Sequence, residues 1–351
     1  MSATATGAVI TAWSAVSPFG IDRKHFLDGL RTGEPARHTT QAEGGAPGER
    51  GRAVPDFDVR EVLGRKGTRA MDRVTALAVT AVGQVFDAGA APGGTGLVLA
   101  TSGSTQSMMD FTRSSLLGDK PYHVDPARMP NTVMNCAAGR CAIWYGLNGP
   151  NVTLASGRVS GLSAFRYATR LLARGRADTV LVGGAEEYSA DRAWLDFHSR
   201  EDGPAPRPLG EGACMMLLER AETATAGRPR ALAITSRVIA ADDLRLALRD
   251  CVHAALAEAG VAPAAVDVVV PSGAGGRTGA QETEVLDTVF GAAHRLDVGA
   301  LIGDTGAASA CFGVVAALGE AETGARVAVV TSADADGSVA CGVFGLPGDG
   351  R

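Results

Sequence analysis

At 351 residues the chain is long enough for two packed cores or for one large layered unit. Its 46% hydrophobic and 20% charged content is that of an ordinary globular protein, and its 46 glycines are dispersed without period, which excludes collagen-like and low-complexity classes. The formal net charge of −5 supplies no broad cationic field, and no run approaches about 18 uninterrupted apolar residues, so neither nucleic acid nor a membrane is an expected partner.

The opening MSATATGAVITAWSAV (1–16) lacks a basic leader region and reads as a first strand, so a cytoplasmic location is expected. QAEGGAPGERGR (41–52) reads as an exposed loop. GLVLATSGS (96–104) is an apolar strand running into small residues, and NVTLASG (151–157) is a second strand ending the same way. The helix SGLSAFRYATRLLARG (160–175) follows, with Leu162, Phe165, Ala168, Leu171 and Leu172 on one face. DTVLVGGAEE (178–187) is another buried strand, and ACMMLLE (213–219) a further one before a polar stretch.

Beyond a boundary near residue 228 the pattern repeats. VDVVVPSGAGG (266–276) is a strand ending in glycines and LIGDTGAAS (301–309) the second turn. A small-residue helix GAASACFGVVAALGEAE (306–322) leads to the strand RVAVVTSADADG (326–337). Continuous β-branched runs alternating with helices predict parallel strands buried on both faces. Two such βαβαβ halves, 1–228 and 229–351, predict an α/β fold in a layered α-β-α-β-α arrangement. Its two central helices, apolar nearly all round, should be the most deeply buried.

The duplication puts Arg158 and Asp304 at equivalent places, each entering the N-terminus of its half's buried helix. Such an end carries partial positive charge and unsatisfied N–H groups, which suits Asp304 as an N-cap. Arg158 is disfavoured there unless an anion is near. A guanidinium can be neither nucleophile nor general base. The six cysteines (Cys136, Cys141, Cys214, Cys251, Cys311 and Cys341) show no CxxC pair and no Cys–His zinc spacing, so they read as reduced buried thiols. The six histidines are equally dispersed. GAGG (273–276) lacks the full dinucleotide fingerprint, and no metal or cofactor is expected.

Several stretches in order resemble the β-ketoacyl synthases of the thiolase superfamily across essentially the whole chain. They are AVITAWSAVSPFG (8–20), MDRVTALAVTAVGQVFDAG (71–89), PLGEGACMMLLE (208–219) and QETEVLDTVFG (281–291). The most specific is 130–187, with Asn135, Gly139, Tyr145, Gly146, Gly149 and Pro150 in family register. The resemblance implies a thiolase-like fold. It also implies that Arg158 stands where condensing members carry the acyl-accepting cysteine, whose thiolate a helix N-terminus favours. Pro271 or Ser272 stands at the first catalytic histidine, Asp304 at the second and Gly299 at the lysine. The glycine-rich gating turn becomes ADADGS (333–338). Losing all of these together removes every step of condensation, so no catalytic residue is expected.

Silent members of this kind are the chain-length factors, or ketosynthase β subunits, of type II polyketide synthases. The resemblance implies a heterodimer with an active ketosynthase α subunit, contact with acyl carrier protein through that complex, and a share in the polyketide tunnel. By register Arg128 and Met129 lie toward the partner's acyl site, and Met134 is a further tunnel or interface candidate. Met108, Met109 and Phe111, in STQSMMDF (104–111), are candidate tunnel walls, although a Met–Met–Phe cluster is otherwise ordinary core. Arg158 is expected to pair with Asp304 in the vestigial cavity. Segments after Phe197 and Ile239 look trimmed, which places carrier docking mainly on the partner. Two alternatives stand beside this reading. One is an acyl-thioester transferase or hydrolase with a relocated nucleophile, Ser156, Ser160 or Cys136. The other is a homodimeric acyl-thioester-binding protein.

Overall fold

The computed structural model describes residues 8–37, 45–46, 50–87, 94–118, 120, 123–199, 207–221, 227–238, 243–291 and 293–346. Residues 1–7 of the expected first strand, most of the 41–52 loop, and the trimmed segments at 200–206 and 239–242 lie outside them.

Among the described residues, ten strands form the backbone of the fold. They are β1 (Ala8–Val16), β2 (Gly96–Ala100), β3 (Asn151–Leu154), β4 (Thr179–Glu186), β5 (Gly212–Arg220), β6 (Arg230–Val238), β7 (Val268–Val270), β8 (His294–Arg295), β9 (Val327–Ala333) and β10 (Ser338–Gly345). Their spatial order is β3-β2-β4-β5-β1-β6-β10-β9-β7-β8. Counted within each half, both sets of five run 3-2-4-5-1 outward to inward, so the repeat seen in the sequence is a repeat of topology. The halves meet at a narrow seam of two residue pairs, Ala8 with Ala231 and Val9 with Arg230.

The expectation of parallel strands holds for three strands of each half. β2 lies parallel to β3 and β4, and β7 parallel to β8 and β9. The two inner strands of each half are antiparallel instead, β5 with β4 and β1, β10 with β9 and β6. For β9 and β10 the reason is local, since a four-residue turn leaves no room for the crossover that a parallel pair needs. β7 ends at Val270, earlier than expected, because Pro271 has no N–H to continue the ladder.

Among the described residues, eleven helices cover the two halves of this order, β3-β2-β4-β5-β1 (the first sheet) and β6-β10-β9-β7-β8 (the second): α1 (Arg23–Thr32), α2 (Val59–Leu63), α3 (Arg73–Asp87), α4 (Thr105–Leu117), α5 (Cys136–Tyr145), α6 (Ser160–Ala173), α7 (Ala190–Ser199), α8 (Arg245–Ala259), α9 (Gly276–Phe290), α10 (Val298–Ile302) and α11 (Ser309–Glu320). Alternation along the strands sorts them into layers. Leu97, Leu99 and Leu181 face α3 and α5 on the outside of the first sheet. Val98, Ala100, Val180 and Val182 face α6 and α11 in the middle. Val269 and Val329 face α8 and α9 on the outside of the second sheet, completing α-β-α-β-α.

The two central helices differ. α11 is buried on every side from Ala310 to Leu318. α6 buries only one face, through Leu162, Phe165, Ala168 and Leu172, and exposes Tyr167 and Arg170. It follows the edge strand β3, so its outer face has no further layer to pack on. The helices cross closely where a Cβ on Gly161 would come within 2.9 Å of Ala310 Cβ. Each fully buried phenylalanine here, Phe165 and Phe312, stabilises the middle layer by about 1.5–3 kcal/mol. Gly51 and Arg52 also depart from expectation. Both are buried, and Arg52 N–H donates to Leu209 O at 2.8 Å while its guanidinium donates to Leu301 O at 2.9 Å.

Candidate functional site: a caged arginine

The turn between β3 and α6 places Arg158 two residues before the helix. Gly157 holds φ 61°, and the Asp334 carboxylate lies against its backbone where any side chain would collide. Asp334 Oδ2 accepts the Arg158 backbone N–H at 2.7 Å. The Arg158 guanidinium engages Asp304 in a bidentate pair, Nη1 to Oδ1 at 2.7 Å and Nη2 to Oδ2. Side-chain exposures of 17% and 11% make this a largely buried ion pair. Burial pulls the guanidinium down, but Asp304, Asp334 and Glu282 outweigh it and hold it above the ordinary arginine value. Burial pushes the Asp304 carboxyl up, and Arg158 overrides that to leave it below the usual aspartate value.

Asp304 does not cap α11, as its place in the sequence suggested. That helix begins at Ser309 with Ala308 at its N-cap, after a 3₁₀ turn at Gly306–Ala308. The Asp304 carboxylate instead accepts the Gly306 N–H at 2.8 Å, closing a local turn. Its carbonyl accepts Arg192 Nη2 at 3.0 Å, and Arg192 Nη1 also donates to the carbonyls of Glu187 and Gly210.

The other positions that the resemblance aligns with catalytic residues are filled in different ways. Ser272 is buried and its Oγ donates to Glu282 Oε2 at 2.5 Å, while Thr331 Oγ1 donates to Oε1 at 2.6 Å. Burial pushes the Glu282 carboxyl up against the pull of these donors and of Arg158. Pro271 is half-buried at the end of β7. Gly299 is packed so that a Cβ would lie 2.8 Å from Gly273 Cα, and a lysine there would displace the Gly273 loop. The 333–338 segment forms a tight hairpin turn, with Asp334 N–H donating to Ser338 O at 2.9 Å. Asp334, Glu282 and Arg192 are site residues that the sequence reading missed.

Of the alternative nucleophiles, Ser156 is exposed at the turn, whereas Ser160 and Cys136 are poorly placed. Ser160 Oγ is buried and accepts the Ser156 N–H at 2.7 Å. Cys136 begins α5, on the opposite face of the first sheet from α6, and burial pushes its thiol up.

Met108, Met109 and Phe111 lie on α4 and are half-buried, neither sealed in a core nor free. Met129 and Met134 are 60% and 52% exposed, beside exposed Val133 and Ile143. Arg128 is exposed, 3.8 Å from Asp125, and lines a cavity of about 180 Å³ with Ser107, Asp110 and Asn131. Two acids from the β4–α7 segment hold α4. Glu187 accepts from Ser104 Oγ and from the Gln106 N–H, each at 3.1 Å. Arg113 makes a bidentate pair with Asp191, Nη1 to Oδ2 at 2.9 Å and Nη2 to Oδ1. Burial raises the Glu187 carboxyl to about 7.

Residues 6–224 match the N-terminal domain of β-ketoacyl synthases and residues 235–329 the C-terminal domain. The chain belongs to the β-ketoacyl synthase family. A 3-oxoacyl-[acyl-carrier-protein] synthase 2 of Vibrio harveyi is 30% identical over 196 residues, covering 49% of this chain and 47% of that protein. The chain thus spans about half the length of that curated relative. Among solved structures, the ishigamide ketosynthase/chain length factor superposes with a TM-score of 0.92 at 41% identity, covering 97% of this chain and 100% of that one. A ketosynthase (ApeO) in complex with its chain length factor (ApeC) from Xenorhabdus doucetiae gives 0.78 at 17% identity, covering 97% and 98%, and supports the thiolase-like fold alone.

Proposed function

We propose that this chain is a chain-length factor, a catalytically silent ketosynthase-like subunit that pairs with an active β-ketoacyl synthase and shapes the cavity for a growing polyketide. The observation that carries this reading is the Arg158–Asp304 pair at two positions where condensing relatives hold reacting groups. A permanently charged guanidinium has no lone pair to attack a thioester, and a paired carboxylate has no proton to give. Asp334 accepts the Arg158 backbone N–H, and the buried Glu282 adds a longer-range electrostatic attraction to the cation. Chemistry therefore passes to the partner, which receives acyl carrier protein, while this chain contributes surface.

That surface is the edge of the first sheet. β3 pairs only with β2, so its outer backbone groups are available to another chain. Met129, Val133, Met134 and Ile143, on α5 and the turn leading into it, are exposed apolar side chains. The ishigamide ketosynthase/chain length factor supports the assignment by its likeness over the whole chain. The test is incubation of the purified chain with malonyl-loaded acyl carrier protein, followed by intact-protein mass spectrometry and CO₂ release. No acyl transfer and no decarboxylation are expected from the chain alone, and condensation is expected once an active ketosynthase is added. Turnover by the isolated chain would overturn the assignment.

A further inference from the structure

The outer face of α6 is the least explained surface of the middle layer. Pro150, Tyr167, Arg170, Leu171, Arg174 and Arg176 line a cavity of about 600 Å³ there. Half of these residues are arginines and none is acidic. Among the described residues, the guanidiniums of Arg170, Arg174 and Arg176 have no hydrogen-bonding or ion-pair partner, and the nearby Asp178 is paired with Arg220. A second cavity of about 400 Å³ shares Arg170 and adds Arg166 and Arg237, against the single acid Glu258. Five arginines thus face one carboxylate on a chain whose net charge is −5. The negative end of the α6 dipole favours cations in its last turn, which accounts for Arg170 and Arg174 individually. It accounts for neither the apolar walls, Tyr167 and Leu171, nor the arginines beyond the helix.

The position of this face gives it a partner. Pro150 immediately precedes β3, so the cavity adjoins the free sheet edge, on the opposite face from the exposed apolar residues of the α5 side. We propose that this arginine face receives an acidic segment of the subunit that docks along β3, and that it selects an unlike subunit over a second copy of this chain. The inference rests on the heterodimer reading and adds the chemistry of the choice. A two-fold pairing of identical chains puts the same patch on both sides of the axis, so a second copy would bring arginine cavities toward arginine cavities. Like-charge juxtaposition disfavours that pairing, whereas an acidic counterpart is both attracted and oriented.

The test compares the wild-type chain with the triple variant Arg170→Glu, Arg174→Glu, Arg176→Glu and with the neutral Gln triple variant. Each is co-purified with the ketosynthase encoded nearest to it, and sedimentation velocity is run at two salt concentrations. All three side chains are exposed, so unchanged circular dichroism is expected for both variants, with a small drop in thermal midpoint, larger for the Glu variant because it sets acids at the negative end of α6. The wild-type mixed dimer should weaken with salt, the Gln variant should bind less tightly with a shallower salt dependence, and the Glu variant should bind at least tenfold more weakly. Mixing wild type with the Glu variant should yield a self-pair that neither forms alone. Unchanged ketosynthase affinity in the Glu variant, with or without loss of acyl carrier protein capture, would overturn the arginine proposal while leaving the heterodimer intact. Failure of the wild-type chain to form any mixed dimer would instead overturn the heterodimer reading itself.

Discussion

Arg158 and Asp304 each have the other as the main reason for being charged in a buried place. Replacing both with apolar residues of similar volume removes two desolvation costs along with one attraction, whereas replacing one strands a charge. Arg158→Ala or Asp304→Ala is therefore expected to cost about 3–5 kcal/mol, and the Arg158→Met, Asp304→Leu double variant far less, as read from urea unfolding midpoints. The acid limb carries the same information. Asp304 is held below the usual aspartate value, so its contribution is complete above that value and is lost as pH falls through the lower, folded one. Below about pH 4 the parent should lose stability more steeply than Asp304→Asn. The pair was legible in the sequence because a cation and an anion stood at matching places of a repeat. Asp334 and Glu282 were not. One reads as an ordinary turn aspartate and the other as a helix acid, and each acts on Arg158 from more than 100 residues along the chain, Asp334 by a hydrogen bond and Glu282 by its charge alone.

The helix α4 shows how an element is positioned without being buried. Only Thr105 among its residues is buried, so packing alone holds it weakly. Glu187 at its first turn and Asp191 opposite Arg113 supply the rest, from the segment that Arg192 ties to Asp304. Burial keeps the Glu187 carboxyl protonated to about pH 7 in the folded chain, whereas it ionises near its ordinary value when unfolded. The unfolded state therefore releases its proton first, and stability falls as pH rises toward 7, then levels once both states are ionised. Glu187→Gln should flatten that fall, as measured by thermal midpoints between about pH 5 and 8. At this scale the strands and the two central helices were readable from apolar periodicity. The one-sided burial of α6 was not, because β3 being a sheet edge is a property of strand order. Nor was the antiparallel course of β5 and β10, which depends on how the chain returns between layers.

As a whole molecule the protein is two copies of one topology sharing a middle layer, with an arginine at the β3–α6 turn and β3 left as a sheet edge. On the proposed function, α4 reaches into a cavity that the partner completes, and the volume there sets where chain growth stops. Met109→Ala or Phe111→Ala, reconstituted with the active ketosynthase and acyl carrier protein, should lengthen the products by at least one extension unit in liquid chromatography–mass spectrometry. An unchanged product profile would place these side chains outside the shared cavity.

The duplicated architecture, several of the strands and both central helices, and the arginine standing at the β3–α6 turn follow from the sequence. They depend on local periodicity and on which residue types stand at which turns. The three carboxylates around Arg158, the packing of Gly299 against Gly273, the true cap of α11 and the bare arginine face of α6 belong to the tertiary structure. Each arises where segments far apart in the chain are brought within contact distance, and a one-dimensional pattern carries no record of that approach.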